Sequence, residues 1–259
     1  MSGAGKHVLR WAMAGALVLA GSQAYAACTF GGAGSEPSLQ GTFNTLFGSS
    51  SAPNAALACE AEGTDGSWTT VGSVGQIDIV LELAGNAQSN TFGLYDLNDP
   101  SRRLTIFEGN DGASAEATLR LRRLANGTWR ASVLEFNNPD DPSGWTTLNG
   151  LTTSAFGFYL GTAANGTFFS QTGRNADGVD HLYAYQGNGQ AFLGGPLEGE
   201  LFTAQDYILA WEDLMGGGDR DFQDFVVVVQ DIRPVPLPPA LLLLASSLIG
   251  FAGVARRRA

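Results

Sequence analysis

A single all-β domain of β-sandwich or jelly-roll type is the fold predicted for the middle of this 259-residue chain. Three observations predict it. Short runs of alternating apolar and polar residues recur, which is the period-2 pattern of half-buried strands. Between them stand Asn86, Asn110-Asp111-Gly112, Asn126-Gly127, Asn165-Gly166 and Asp177-Gly178, residues suited to tight turns. No long stretch with a helical apolar period interrupts them, and many short strands with Gly-rich turns favour sandwiches and related barrels.

The elements follow in order. Leu39 to Phe47 fits a strand or a short helix equally well. Gln76 to Leu83 places Ile77, Ile79, Leu81 and Leu83 on one face of a strand. Ala117 to Arg122 turns Leu119 and Leu121 inward and Arg120 and Arg122 outward. Phe156–Leu160 and Tyr207–Trp211 read as further strands. Phe225-Val-Val-Val-Val229 is apolar throughout, which suits a strand covered on both faces. There is no internal repeat.

The two ends differ from this middle. Residues 1–26 begin with Lys6 and Arg10, continue through the apolar run Trp11–Ala20, and reach Ala24-Tyr25-Ala26. A positive start, an apolar stretch of roughly ten residues and an A-x-A site make a secretory signal, with cleavage expected after Ala26. Residues 234–259 start with a stiff Pro-rich spacer, since proline fixes φ and removes backbone donors. Leu237 to Ala255 carries no charge and is about long enough to span a bilayer. Arg256, Arg257 and Arg258 follow it and favour a cytoplasmic C-terminus. The exported β-rich domain is thus 27–233.

The tail resembles the PEP-CTERM class of bacterial sorting signals, in its VPLPA variant, at Val235, Pro236, Leu237, Pro238, Pro239 and Ala240, the Leu-rich span and the terminal arginines. Two prolines precede Ala240 where the usual motif has one. The resemblance implies recognition by an exosortase-type membrane protease. It also implies transient anchoring in the inner membrane, and final display on the surface or in the exopolysaccharide matrix of a Gram-negative bacterium.

Charge and cysteine bound the function. All 25 acidic residues lie in the middle part, and the five basic residues of the two ends leave only nine there, a net charge of −16. Nucleic acid is disfavoured as a partner because phosphate contacts need a basic face. Crowded carboxylates repel one another, and divalent cations are one natural relief. Cys28 and Cys59 are the only cysteines, and in an oxidising compartment one disulfide between them is expected.

The densest acidic stretch runs Glu212-Asp213-Leu-Met-Gly-Gly-Gly-Asp219-Arg220-Asp221-Phe-Gln-Asp224. Its glycines allow sharp turns, so that several carboxylates can converge as a calcium site requires. Arg220 as an internal counter-ion, or Asp side chains capping their own loop, would explain the same residues. The spacing is not that of an EF-hand. A second cluster, Asn175-Ala-Asp177-Gly178-Val-Asp180-His181, reads as a turn into a strand and joins the first if the two strands pair. Candidate metal ligands are therefore Asp177, Asp180, Glu212, Asp213, Asp219, Asp221 and Asp224. These two stretches, over roughly 150–232, resemble an uncharacterised domain of exported bacterial proteins. That resemblance implies an exported β-domain with a divalent-cation site and no established activity.

Three functions compete. The first is a non-enzymatic, calcium-stabilised surface or matrix protein. The second is a carbohydrate-binding module of the exopolysaccharide layer, with Trp68, Trp129 or Trp145 stacking on sugars unless they serve the core. The third is an enzyme. His181 is the one histidine outside the signal, and no G-x-S-x-G elbow occurs. Histidine and cysteine are too few for a zinc hydrolase. A glycosidase needs only two carboxylates, and no particular pair is marked. No catalytic residue is assigned.

Overall fold

A computed structural model describes the chain at residues 30, 38–48, 52–55, 65–82, 90–109, 111, 115–136, 144–194, 197 and 199–235. The signal segment with Ala24 and Ala26, both cysteines, and the tail from Pro236 onward lie outside these residues. No helix among the described residues is long and apolar enough to cross a membrane. Most of the described chain is β-structure, in three antiparallel sheets with one α-helix.

The first sheet runs in the order β15 (Ile232–Pro234), β1 (Trp68–Thr70), β8 (Phe156–Thr162), β3 (Thr91–Asp96), β4 (Asp99–Glu108), with β9 (Gly166–Phe169) also on β8. The second runs β10 (Leu182–Gln186), β13 (Tyr207–Trp211), β14 (Phe225–Gln230), β2 (Val74–Glu82), β5 (Glu116–Arg123), β6 (Trp129–Phe136), β7 (Thr146–Leu151). A small ribbon pairs β11 (Ala191–Phe192) with β12 (Leu201–Phe202). Both large sheets contribute to one core. Trp68, Phe92, Phe156 and Phe158 come from the first, and Ile77, Leu119, Val133, Leu209, Trp211 and Val227 from the second.

The β14 sequence makes sense in this setting. Val227 and Val229 enter the core between the sheets, while Val226 and Val228 belong to a second cluster on the far face. That cluster is built by α1 (Leu39–Phe47), whose Leu39, Phe43, Leu46 and Phe47 are buried with Tyr183, Tyr185 and Ile208. Helix is the outcome at this ambiguous segment because its apolar residues recur at helical spacing. The Ser38 side chain caps it, accepting from the Gly41 amide at 3.1 Å. A strand apolar on both faces is thereby covered on both.

Candidate metal centre between β13 and β14

β13 and β14 pair with Trp211 opposite Phe225, and both rings are buried in the core. This pairing decides the geometry of the connection. Glu212 and Asp213 leave one strand where Asp224 enters the other, so residues twelve positions apart become neighbours. The Asp224 carboxylate closes the neck by accepting from the Asp213 amide at 2.9 Å. The loop turns back through Gly216, Gly217 and Gly218, all at positive φ, and through Arg220 and Phe222, which also have positive φ. Phe222 docks against the α1 side of the sheet.

The carboxylates form two groups that share Glu212. Ligand oxygens of Glu212, Asp213 and Asp224 lie within 4.8 Å of one another, and so do those of Glu212, Asp219 and Asp221. Oxygens bound to calcium at about 2.3–2.6 Å can stand up to roughly 5 Å apart, so either group fits around one ion. These are hard oxygen donors, the kind that calcium and magnesium take. Glu212 is 0 % exposed, and Asp213, Asp221 and Asp224 are buried too. Burial, then the charges of Asp224, Asp219 and Asp221, pushes the Glu212 carboxyl up to about 8. Burial raises Asp224 to about 7 against the Asp213 amide, helped by the charges of Asp213 and Asp221. Such carboxylates resist ionising together unless a cation joins them. Arg220 is exposed, and its backbone amide donates to Glu212 Oε2 at 3.0 Å.

The second acidic stretch is adjacent, because β10 pairs with β13 and sets Leu182 opposite Trp211. It serves a different purpose. His181 is fully buried, its ring stacked 3.8 Å from that of Phe168. Its Nε2 lies 2.9 Å from Asp177 Oδ2, and its Nδ1 lies 2.9 Å from the Glu212 carbonyl oxygen. Asp177 also accepts from the Gly216 amide at 2.7 Å and from the Val179 amide at 3.1 Å. Burial works against its charge, but these amides and the imidazole outweigh it and hold Asp177 at about 2. Asp180 Oδ1 accepts from the Leu182 amide. Asn175 clamps the turn, accepting from the Phe169 amide at 2.7 Å and donating to the Val179 carbonyl at 2.8 Å.

Five of the seven candidate ligands are therefore brought together: Glu212, Asp213, Asp219, Asp221 and Asp224. Asp177 and Asp180 are not in either group among the described residues, and Asp177 instead braces the loop from outside. Two residues escaped the sequence reading. Asn90, only 2 % exposed, approaches Asp213 Oδ2 through its Nδ2 at 3.5 Å, and Asn165 Nδ2 donates to the Asp213 carbonyl at 3.0 Å. Both come from distant segments, and only the turn signal at Asn165 hinted at either.

Gly218 is fixed by the same packing. A Cβ there would lie 2.1 Å from Glu212 Oε1, at φ +43°. Gly218→Ala is expected to destabilise the fold by about 2 kcal/mol, from the strained backbone and the displaced carboxylate. Urea unfolding measures this, and a loss below a few tenths of a kcal/mol would show that the loop does not hold Glu212 tightly.

One family model matches the segment that contains this site. Residues 124–231 match the model of a domain of unknown function, DUF4114. The DUF4114 match begins ahead of the expected start near 150, taking in β6 and β7, and it includes the whole acidic loop. No curated protein and no solved structure matched the chain.

Proposed function

We propose that this chain is an exported, non-enzymatic protein whose β-sandwich domain is stabilised by calcium. In this reading the signal segment directs export. An exosortase-type protease recognises the VPLPA tail while it anchors the chain in the inner membrane, and the domain reaches the cell surface or matrix of a Gram-negative bacterium. The export part rests on the order of features at the two ends. One observation supports the cation: five carboxylates in two ligand-sized groups sharing the buried Glu212. Calcium is preferred to magnesium because the donors come from a bent loop with several carboxylates, and magnesium demands stricter octahedral geometry and retains its waters.

Equilibrium dialysis of the chelator-stripped protein against calcium tests the reading. Saturable binding of one or two ions per chain is expected, with at least tenfold weaker binding after Asp221→Asn. Binding that does not saturate, or that the substitution leaves unchanged, would overturn it.

A further inference from the structure

The outer face of β5–β6–β7 has a chemistry unlike the rest of the protein. Ala117, Leu119, Leu121, Ala131 and Val133 of these strands point into the core, so alternation puts Arg120, Arg122, Arg130 and Ser132 on the opposite face. Arg122 stands directly across from Arg130, which in turn faces Asn149, and Ser132 pairs with Arg120 and with Thr147. Arg120 and Arg122 are exposed, as are Thr147 and Asn149. Trp145, at the entry to β7, is 38 % exposed, and the Arg120 guanidinium lies 4.5 Å from its ring centre.

Two features mark this face as more than solvated surface. Like charges directly opposite on neighbouring strands destabilise a sheet, yet Arg122 and Arg130 occupy such a pair. Neither has a carboxylate within ion-pair distance among the described residues. Arg130 Nε donates to Asn149 Oδ1 at 2.5 Å, whereas Arg102 on the other sheet pairs with Asp96 at 2.6 Å. In a chain of net charge −11, three guanidiniums are thus gathered on one sheet face, Arg120 and Arg122 exposed and Arg130 half-buried.

We propose that this face binds an extended acidic glycan, a polymer of carboxylate-bearing sugars. Guanidinium forks match carboxylates in plane and in donor spacing. The exposed Trp145 ring, with the Arg120 guanidinium 4.5 Å from its centre, offers an apolar plane for the C–H face of a pyranose. Thr147 and Ser132, with the Asn149 amide nitrogen whose oxygen partner accepts from Arg130 Nε, supply hydrogen bonds suited to ring hydroxyls. A pleated sheet has a strand spacing of about 4.8 Å, so the row across β5, β6 and β7 spans roughly 10 Å, the length of about two sugar residues. The distant carboxylates of the domain oppose an anionic ligand, but at physiological salt the Debye length of about 8 Å screens them more than the contacting arginines. The carboxylate cluster between β13 and β14 takes no part, so this proposal stands apart from the cation reading.

Affinity electrophoresis of the purified protein in gels containing polygalacturonate, with neutral dextran gels as reference and chelator throughout, tests it. Retardation by polygalacturonate and not by dextran is expected. Arg122→Gln, an exposed side chain, should weaken binding several-fold, and Arg122→Gln with Arg130→Gln by tenfold or more. Trp145→Ala should also weaken it several-fold, while Arg233→Gln on the other sheet changes nothing. Equal retardation by dextran, an Arg122→Gln variant that binds like the native protein, or equal retardation by duplex DNA that is indifferent to Trp145→Ala would each overturn the proposal. The last would indicate a bare polyanion surface.

Discussion

Substitution of His181 by leucine is expected to lower the stability of the protein by about 3–4 kcal/mol. The imidazole joins three parts of the site: the Asp177 turn, the Glu212 backbone at the end of β13, and Phe168 of β9. Each ring nitrogen faces an acceptor, one a carboxylate and one a carbonyl, and leucine removes both contacts. A buried acceptor stripped of its partner costs about 1–3 kcal/mol, more for a charged one. Leucine replaces most of the ring volume, so little of the loss comes from a cavity. Asp177 would still accept from the Gly216 and Val179 amides, which sets the upper limit. Urea denaturation at neutral pH gives the number, and a loss under 1 kcal/mol would mean that the ring fills space and does not tie the turn to the loop.

The second large effect is in pH. Without a cation, the folded protein holds protons on Glu212 and Asp224 up to about 8 and 7, whereas the unfolded chain releases them near pH 4. Folded carboxyls raised in this way give stability that is complete below pH 4 and is lost as pH climbs toward 8. Asp177, held at about 2, acts in the other direction, and its contribution is lost only as the solution falls below pH 4. Chelated protein should therefore be most stable near pH 4–5 and weaken by a few kcal/mol by pH 8. Saturating calcium should flatten or reverse this slope, since ions and protons compete for the same oxygens. Glu212→Gln should flatten it without calcium. Melting temperatures from pH 5 to 8 in chelator test the point, and a rise in stability over that range would contradict it.

How much of this was legible in the sequence differs by element. The all-apolar run of β14 predicted cover on both faces, and the structure supplies the two sheets' common core on one side and α1 on the other. The identity of that cover was not legible, because a nine-residue helix is marginal alone and depends on the tyrosines of β10. The inward leucines and outward arginines of β5 followed from alternation. Among the tryptophans, Trp68 belongs to the core and Trp145 to the surface, a distinction set by strand ends and not by composition. At the site, the loop from Glu212 to Asp224 could be singled out because glycines and carboxylates were crowded together. Which acids share an ion and which brace the loop depended on the Trp211–Phe225 pairing and on His181. Asn90 and Asn165 reach Asp213 across the fold from 123 and 48 residues away, and no local pattern marks such partners.

Thermal unfolding in calcium and in chelator, repeated for Asp219→Ala and Asp221→Ala, tests the central claim most directly. Calcium at about a hundred times its dissociation constant should add roughly 2.7 kcal/mol, or about 5–10 °C in a domain of this size. Both substitutions should remove that increment. A melting temperature indifferent to calcium would contradict the account, leaving the acidic loop as a turn device.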